Sequence, residues 1–174
     1  MPPLLKPSEC SVLILDSAGE ASDREPDVEA RRDCIVRAAA LCGVPAFRAA
    51  GEPAPVLVHV AATSQPIPPP MAGSPWAETP VGLALAKASR TSLLICGYWL
   101  DENITFSALN ALGEGYDVFL LTDASPPLDI GERHMAILRL VQAGIVPTTT
   151  RQALREWAAE IADARQRDQL LALL

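Results

Sequence analysis

A short polar and aromatic segment between a buried strand and a helix carries the side chains most able to do chemistry. Residues 93–96 are an apolar run of the length typical of a strand buried on both faces. Gly97 ends the run, and Tyr98, Trp99, Leu100, Asp101, Glu102 and Asn103 follow it. The amide of Asn103 could orient a water or hold a ligand carbonyl. Asp101 and Glu102 add carboxylates, or they are first-turn acids that favour the helix dipole.

The elements around this segment predict where it lies in the fold. Ile104, Ala108 and Leu112 recur at helical spacing and are followed by glycines, and residues 118–121 form a second apolar strand. A strand, a helix and a strand in this order predict parallel neighbours joined by a right-handed crossover. Ligands bind beyond the carboxyl ends of such strands, so the chemistry is expected at residues 97–103.

The rest of the chain alternates strands and helices. A first strand over residues 11–15 ends at Asp16, which from the residues alone is a loop or helix-capping aspartate. Residues 55–61 form either a further parallel strand or an antiparallel continuation of the strand at 44–50. The other predicted elements are helices at 25–41, from Thr79-Pro80, at 132–143 and at 151–164, and an edge strand at 145–148.

These elements predict a three-layer αβα domain with a mostly parallel, roughly six-stranded, Rossmann-like sheet. We expect a single domain over residues 1–174, with an irregular lead-in at 1–10, a proline-rich loop at 62–78 and an apolar tail at 165–174. The tail is expected to dock on its own domain or on another subunit. The inward positions of the first helix and of the last two helices are predicted to be Val28, Ile35, Ala39, Cys42, Ile137, Leu140, Val141, Leu154, Trp157, Ala158 and Ile161.

Composition narrows the class of protein. With 174 residues, 49% hydrophobic content and a formal charge of −7, the chain is expected to be globular and not to bind nucleic acid. No secretory signal or membrane-length apolar run is visible, so a cytoplasmic protein with no membrane contact is expected. The cysteines lack zinc or redox spacing, and neither a metal nor a cofactor is expected. Arg31 and Arg32 are interpreted as a solvated helix face, and Cys96 as an inert core thiol.

One long stretch of sequence carries a resemblance to a known family. The residues are GYWLDENITFSALNALGEGYDVFLLTDAS at 97–125, then His134-Met135-Ala136, Gln142-Ala143-Gly144 and Val146-Pro147-Thr148-Thr149. This sequence resembles the isochorismatase-like cysteine hydrolase superfamily, in particular its small oligomeric hydrolases. The similarity runs without gaps from about Trp76 to Trp157 and returns weakly at residues 12–16.

The resemblance implies a set of site residues and shows where this chain departs from it. The family aspartate corresponds to Asp16, and the nucleophilic cysteine corresponds to Asn103. The family's lysine or arginine would fall within residues 56–75, but no basic residue lies between Arg48 and Lys87. The resemblance also implies a ligand pocket around Tyr98, Trp99, Leu100, Asp101 and Trp76. A cis peptide bond is expected between Tyr98 and Trp99.

Two functions remain open from the sequence. The first is a catalytically degenerate family member that acts as a ligand-binding, structural or regulatory subunit. The second is a hydrolase of a small amide, ureide or vinyl ether that uses Asp16, water and Asn103 without a thiol. A small-molecule ligand is compatible with either function, and an oligomeric scaffold with no ligand is not distinguished from the first by sequence. A homo-oligomer is expected, formed through the C-terminal tail and the proline-rich loop.

Overall fold

The computed structural model describes residues 4–16, 26–50, 56–59 and 76–174. Six strands form one sheet in the order β3-β2-β1-β4-β5-β6. The strands are β1 (Cys10–Asp16), β2 (Ala46–Ala50), β3 (Val56–His59), β4 (Ser92–Gly97), β5 (Asp117–Leu121) and β6 (Val146–Thr148). The helices are α1 (Pro26–Cys42), α2 (Pro80–Ala88), α3 (Thr105–Gly113), α4 (Arg133–Ala143), α5 (Thr150–Glu160) and α6 (Ala164–Leu171).

The sheet is parallel except at one edge. β1 lies between β2 and β4, with Ile14 opposite Arg48 on one side and Cys96 on the other. β3 runs antiparallel to β2, which confirms the antiparallel alternative for this segment. β6 occupies the other edge, as expected for a strand that contains Pro147. The predicted three-layer, mostly parallel sheet is therefore confirmed.

Two apolar cores lie on the two faces of the sheet, because successive strand side chains point in opposite directions. One face of β1 and β4 packs against α1, α5 and the end of α6, and the other packs against α2, α3 and α4. Helix starts follow the expected capping chemistry: the Thr79 hydroxyl accepts the Gly82 N–H at 3.0 Å, and Pro80 is the first helical residue.

Several details of the helices differ from the prediction. The helix expected at 151–164 ends earlier, at Glu160, and a further helix, α6, forms over residues that were expected to be the apolar tail. The Asp163 carboxylate caps α6 by accepting the Gln166 N–H at 2.7 Å. Val141 was expected to point inward but is 44% exposed on α4. Arg32 was expected on a solvated face, but its side chain is fully buried. The physical reason is that the Asp16 carboxylate pairs with the Arg32 charge inside the domain.

The C-terminal tail packs on its own domain. Leu170 is buried and Leu173 is partly buried against the core that contains α1. The Cys34 thiol donates to the Leu173 carbonyl oxygen, with 3.3 Å between the two atoms. The tail is mostly helical, and these two leucines follow the first of the two alternatives, docking on their own domain.

Some expectations fall outside the described residues. They are the structure of residues 1–3 of the lead-in, of residue 25 of the first predicted helix, of residues 55, 60 and 61 of the predicted strand at 55–61, and of residues 62–75 of the proline-rich loop. The described residues on either side of that loop, His59 and Trp76, both lie near the amino ends of the parallel strands.

Gly97 holds the end of β4 against β1 and gives the first testable prediction. Its φ is +127°, and an added Cβ would overlap the backbone of Leu15. We expect Gly97→Ala to lower the free energy of unfolding by about 3 kcal/mol, measured by urea denaturation. Gly113→Ala is the control, because an added methyl group there meets nothing within 4 Å, and its stability should stay within about 1 kcal/mol of the wild type. Equal effects at the two sites would contradict the tight approach at Gly97.

Candidate functional site

Asp16, the last residue of β1, lies in a network of charged side chains at the carboxyl edge of the sheet. Its Oδ1 accepts a hydrogen bond from an Nη atom of Arg32. Its Oδ2 faces Nε of Arg48 at 3.0 Å. The Asp16 side chain is 9% exposed. Oδ1 is therefore hydrogen-bonded to Arg32 of α1, and Oδ2 forms an ion pair with Arg48 of β2 that lacks hydrogen-bond geometry at Nε.

Arg32 is the centre of this network. Its guanidinium donates to Asp16 and to Glu29, the latter at 2.7 Å and one helical turn earlier on α1. The guanidinium carbon also lies 5.1 Å from the centre of the Tyr98 ring, within cation–π range. The side chain is fully buried, so these contacts replace the water that the charge loses.

Burial and neighbouring charges shift the ionisation of this cluster. Burial lowers the pKa of the Arg32 guanidinium from its ordinary value, although an arginine stays protonated throughout the normal pH range. Burial also raises the pKa of the Tyr98 hydroxyl, and the Glu29 carboxylate adds to the rise. At neutral pH the Tyr98 phenol is neutral and the Arg32 guanidinium is positively charged.

The turn after β4 has the expected cis peptide bond between Tyr98 and Trp99. The Tyr98 N–H donates to the Leu15 carbonyl at 2.8 Å, which places the buried Tyr98 beside the end of β1. The two rings meet edge to face with their centres 4.8 Å apart. This turn is thus fixed to the strand that ends in Asp16.

The segment after the turn is a short π-helical stretch, Leu100–Ile104, which leads into α3. Leu100 is buried in the core, and its N–H donates to the Pro126 carbonyl at 2.9 Å. The Asp101 carboxylate accepts the N–H groups of Leu128 and Asp129 at 2.8 and 3.1 Å. Asp101 therefore anchors the loop after β5.

Asn103, at the predicted nucleophile position, does not join the Asp16 network. Its side chain is exposed, and it forms no hydrogen bond with any residue that the structure describes. The neighbouring Glu102 is exposed as well. The predicted pair of Asp16 and Asn103 is therefore not in hydrogen-bonding contact.

Trp76 lies at the opposite edge of the sheet from the other predicted pocket residues. It lines a small cleft with Arg90, Thr91 and Tyr116, next to the starts of β4 and β5. Its ring packs edge to face on Tyr116, with centres 6.4 Å apart. Because Asp16 lies where β1 ends, Trp76 cannot share a pocket with it, and this part of the predicted pocket is corrected.

Cys96 offers no substitute for a reactive thiol. Its side chain is fully buried in the core on the α1 face of the sheet. Burial raises the pKa of the thiol to about 12, and the nearby Arg32 counteracts only part of this effect. The Cys96 thiol is therefore protonated at neutral pH, in agreement with its interpretation as an inert core thiol.

Arg32 and Arg48 are the site residues that the sequence interpretation missed. Arg32 lies on the same helical stripe as Val28, Ile35 and Ala39, all of them buried. A charged residue in such a stripe requires a partner inside the domain, and Asp16 supplies it. Arg48 shares its sheet face with Ile14, its opposite in β1, and so reaches Asp16 from β2.

Two general features are missing from the described parts of the chain. No three His, Cys, Asp or Glu side chains there converge as metal ligands would. No helix in those parts is both long and apolar enough to cross a bilayer.

Comparison with known proteins gives a consistent family relationship. The model of the isochorismatase domain matches residues 71–152. The probable hydrolase YcaC of Escherichia coli is 38% identical over 69 residues, which are 40% of this chain. That match spans 33% of the length of the E. coli protein.

Known structures share the fold over nearly the whole chain. E. coli YcaC, an octameric hydrolase of unknown specificity, has a TM-score of 0.72 at 22% identity, covering 98% of this chain and 90% of YcaC. The MAR1 ribonuclease of Caenorhabditis elegans has a TM-score of 0.74 at 16% identity, covering 98% and 92%. At these identities the similarity establishes the fold.

Removing the Asp16 charge gives the second testable prediction. Asp16→Asn leaves the buried Arg32 with one fewer counter-charge, and we expect the free energy of unfolding to fall by about 3 kcal/mol in urea denaturation. The control is Arg31→Gln, since the Arg31 side chain is 48% exposed and its ion pair with Asp123 is long, at 3.8 Å. That change should cost less than about 0.5 kcal/mol. If Asp16→Asn had the same free energy of unfolding as the wild type, the Asp16–Arg32 contact would contribute little to stability.

Proposed function

We propose that this chain, which belongs to the isochorismatase-like hydrolase superfamily, is a catalytically degenerate member that serves as a small-molecule-binding subunit of a homo-oligomer. The observation that carries the proposal is the state of Asp16. Both of its carboxylate oxygens face arginines, and no thiol or other nucleophile among the described residues contacts it. The aspartate thus has a structural role.

Thiol chemistry requires a thiolate next to a base, and this chain has an amide at the corresponding position. An asparagine side chain has no ionisable group and is a poor nucleophile, so it cannot form a thioester with a carbonyl substrate. Asn103 is also exposed, and among the described residues it makes no hydrogen bond with Asp16. Losing the nucleophile of a catalytic set removes most of the rate.

The alternative of a thiol-free hydrolase would need Asp16 to exchange a proton with water or substrate. A water or substrate would have to compete with two guanidinium groups for this carboxylate, because Oδ1 already accepts a hydrogen bond from Arg32 and Oδ2 lies 3.0 Å from Nε of Arg48. Fold alone does not favour the alternative either, because its neighbours include a hydrolase of unknown specificity and a ribonuclease.

Enzyme kinetics provide the third testable prediction. We expect wild-type protein to show no turnover above background with aliphatic amides, ureides or isochorismate, measured by ammonia release and by chromatography. Asn103→Ala is the informative variant, since Asn103 is exposed and its removal leaves the buried network intact. Turnover by the wild type that Asn103→Ala or Asp16→Asn abolishes would overturn the assignment of a degenerate member.

Self-association is supported by an exposed apolar surface around α4. We define this α4 surface by its residues, which are Phe106, Leu128, Ile130, Met135, Leu138 and Val141. Ile130 is 79% exposed and Phe106 is 62% exposed, and they lie on segments that contact α4. The octameric state of E. coli YcaC makes a homo-oligomer the natural occupant of such a surface.

The fourth testable prediction is a change in mass. Light scattering of the purified protein should give a multiple of the 18.5 kDa subunit, and Met135→Glu with Leu138→Glu should lower it, because charges on the α4 surface oppose its burial. Leu83→Glu is the matched control on α2, where Leu83 is 59% exposed. A monomeric wild type would contradict the oligomer, and an equal loss of mass in the control would contradict the location.

A further inference from the structure

Arg48 has a part of its guanidinium that the charge network leaves unused. Its Nε faces the Asp16 carboxylate at 3.0 Å. Within the described residues, neither Nη atom of Arg48 has an acceptor, and the side chain is 37% exposed. Arg32, by contrast, is fully buried and already donates to both Asp16 and Glu29. Arg48 is therefore the member of the network that a ligand can reach.

We propose that the Nη edge of Arg48 binds the carboxylate of a small organic monoanion at the carboxyl edge of the sheet. The inference rests on the proposed function and deepens it by naming the chemical class of the ligand. A guanidinium presents parallel N–H groups whose spacing matches the two oxygens of a carboxylate. No bond is made or broken in this step, so the ligand is bound and released unchanged.

The contact with Asp16 prepares Arg48 for this task. An unrestrained arginine side chain loses rotamer entropy when it binds a ligand. The ion pair with Asp16 already restricts the Arg48 side chain before a ligand binds, so less entropy is lost. Asp16 is itself held by the buried Arg32, so the restraint extends from the core of the domain to the exposed end of Arg48. Asp16 thus acts as a positioning residue for Arg48.

The charge of the surroundings sets the charge of the ligand. Glu29 pairs with Arg32, and Asp16 lies between Arg32 and Arg48, so the four side chains sum to zero. A ligand with a single negative charge can pair with the Nη edge of Arg48. A second negative charge would meet the repulsion of Asp16 and Glu29 without another free cation of this network. A monoanionic carboxylate is therefore favoured over a phosphate dianion.

The position of Arg48 agrees with a ligand site. β1 and β2 are parallel, and Asp16 is opposite Ala50, the last residue of β2. Sheets of this type bind ligands just beyond the carboxyl ends of their strands. The Arg48 guanidinium lies beside Asp16, where β1 ends, whereas Trp76 lies where β4 and β5 begin.

The test uses benzoate, benzamide and inorganic phosphate as probes, with the full chain and isothermal titration calorimetry at neutral pH. We expect benzoate to bind saturably at concentrations up to about 10 mM, and Arg48→Gln to weaken it about tenfold or more. Arg48→Lys keeps the positive charge and the ion pair with Asp16 but loses the parallel N–H groups of the guanidinium. Its affinity for benzoate should lie between those of the wild type and Arg48→Gln. Arg155→Gln, an exposed arginine on α5, should leave binding within about twofold of the wild type.

Each remaining outcome counts against the inference. Benzamide binding as tightly as benzoate would remove the role of charge, and phosphate binding more tightly would remove the preference for a monoanion. No benzoate binding, or binding unaffected by Arg48→Gln, would remove the site itself. These results are independent of turnover: activity would overturn the degenerate assignment while leaving benzoate binding intact, and lost binding would leave that assignment standing.

Discussion

A fully buried guanidinium must keep its counter-charges, and this requirement shapes the carboxyl edge of the sheet. Arg32 draws Glu29, Asp16 and the Tyr98 ring around itself, and Asp16 brings Arg48 with it. These contacts join α1, β1, β2 and the turn after β4. A buried ion pair adds little net stability, but the loss of one partner is costly. The requirement for a counter-charge beside Arg32 therefore gives Asp16 a role in folding stability.

The residues that follow β4 show a similar division between framework and reactivity. Leu100 fills the core, Asp101 holds the loop after β5, and the Tyr98 N–H is bonded to β1. Each of these positions has a packing or hydrogen-bonding task that does not depend on a nucleophile. The geometry of the turn therefore does not depend on the exposed amide at position 103.

Local sequence signals accounted for the sheet, most helix starts and the turn, because apolar runs, capping residues and glycines act over a few residues. They failed where the cause is distant in the chain. Arg32 resembled a solvated residue beside Arg31 until Asp16, sixteen positions earlier, provided its partner. Arg48 was not predicted as a site residue for the same reason, because its partner Asp16 lies in another strand. The additional helix α6, within the segment expected to be a tail, had a usable local signal in the Asp163–Gln166 cap, which resembles a capping box.

The reversed direction of β3 separates the two edges of the sheet. Since β3 starts beside the end of β2 and finishes beside its beginning, the chain leaves it at the edge where β4 and β5 start. The next described residue, Trp76, is at that same edge. The intervening stretch therefore has both attachment points far from Asp16. A probe attached at Trp76 would therefore report on the edge of the sheet opposite to the one that holds Arg32.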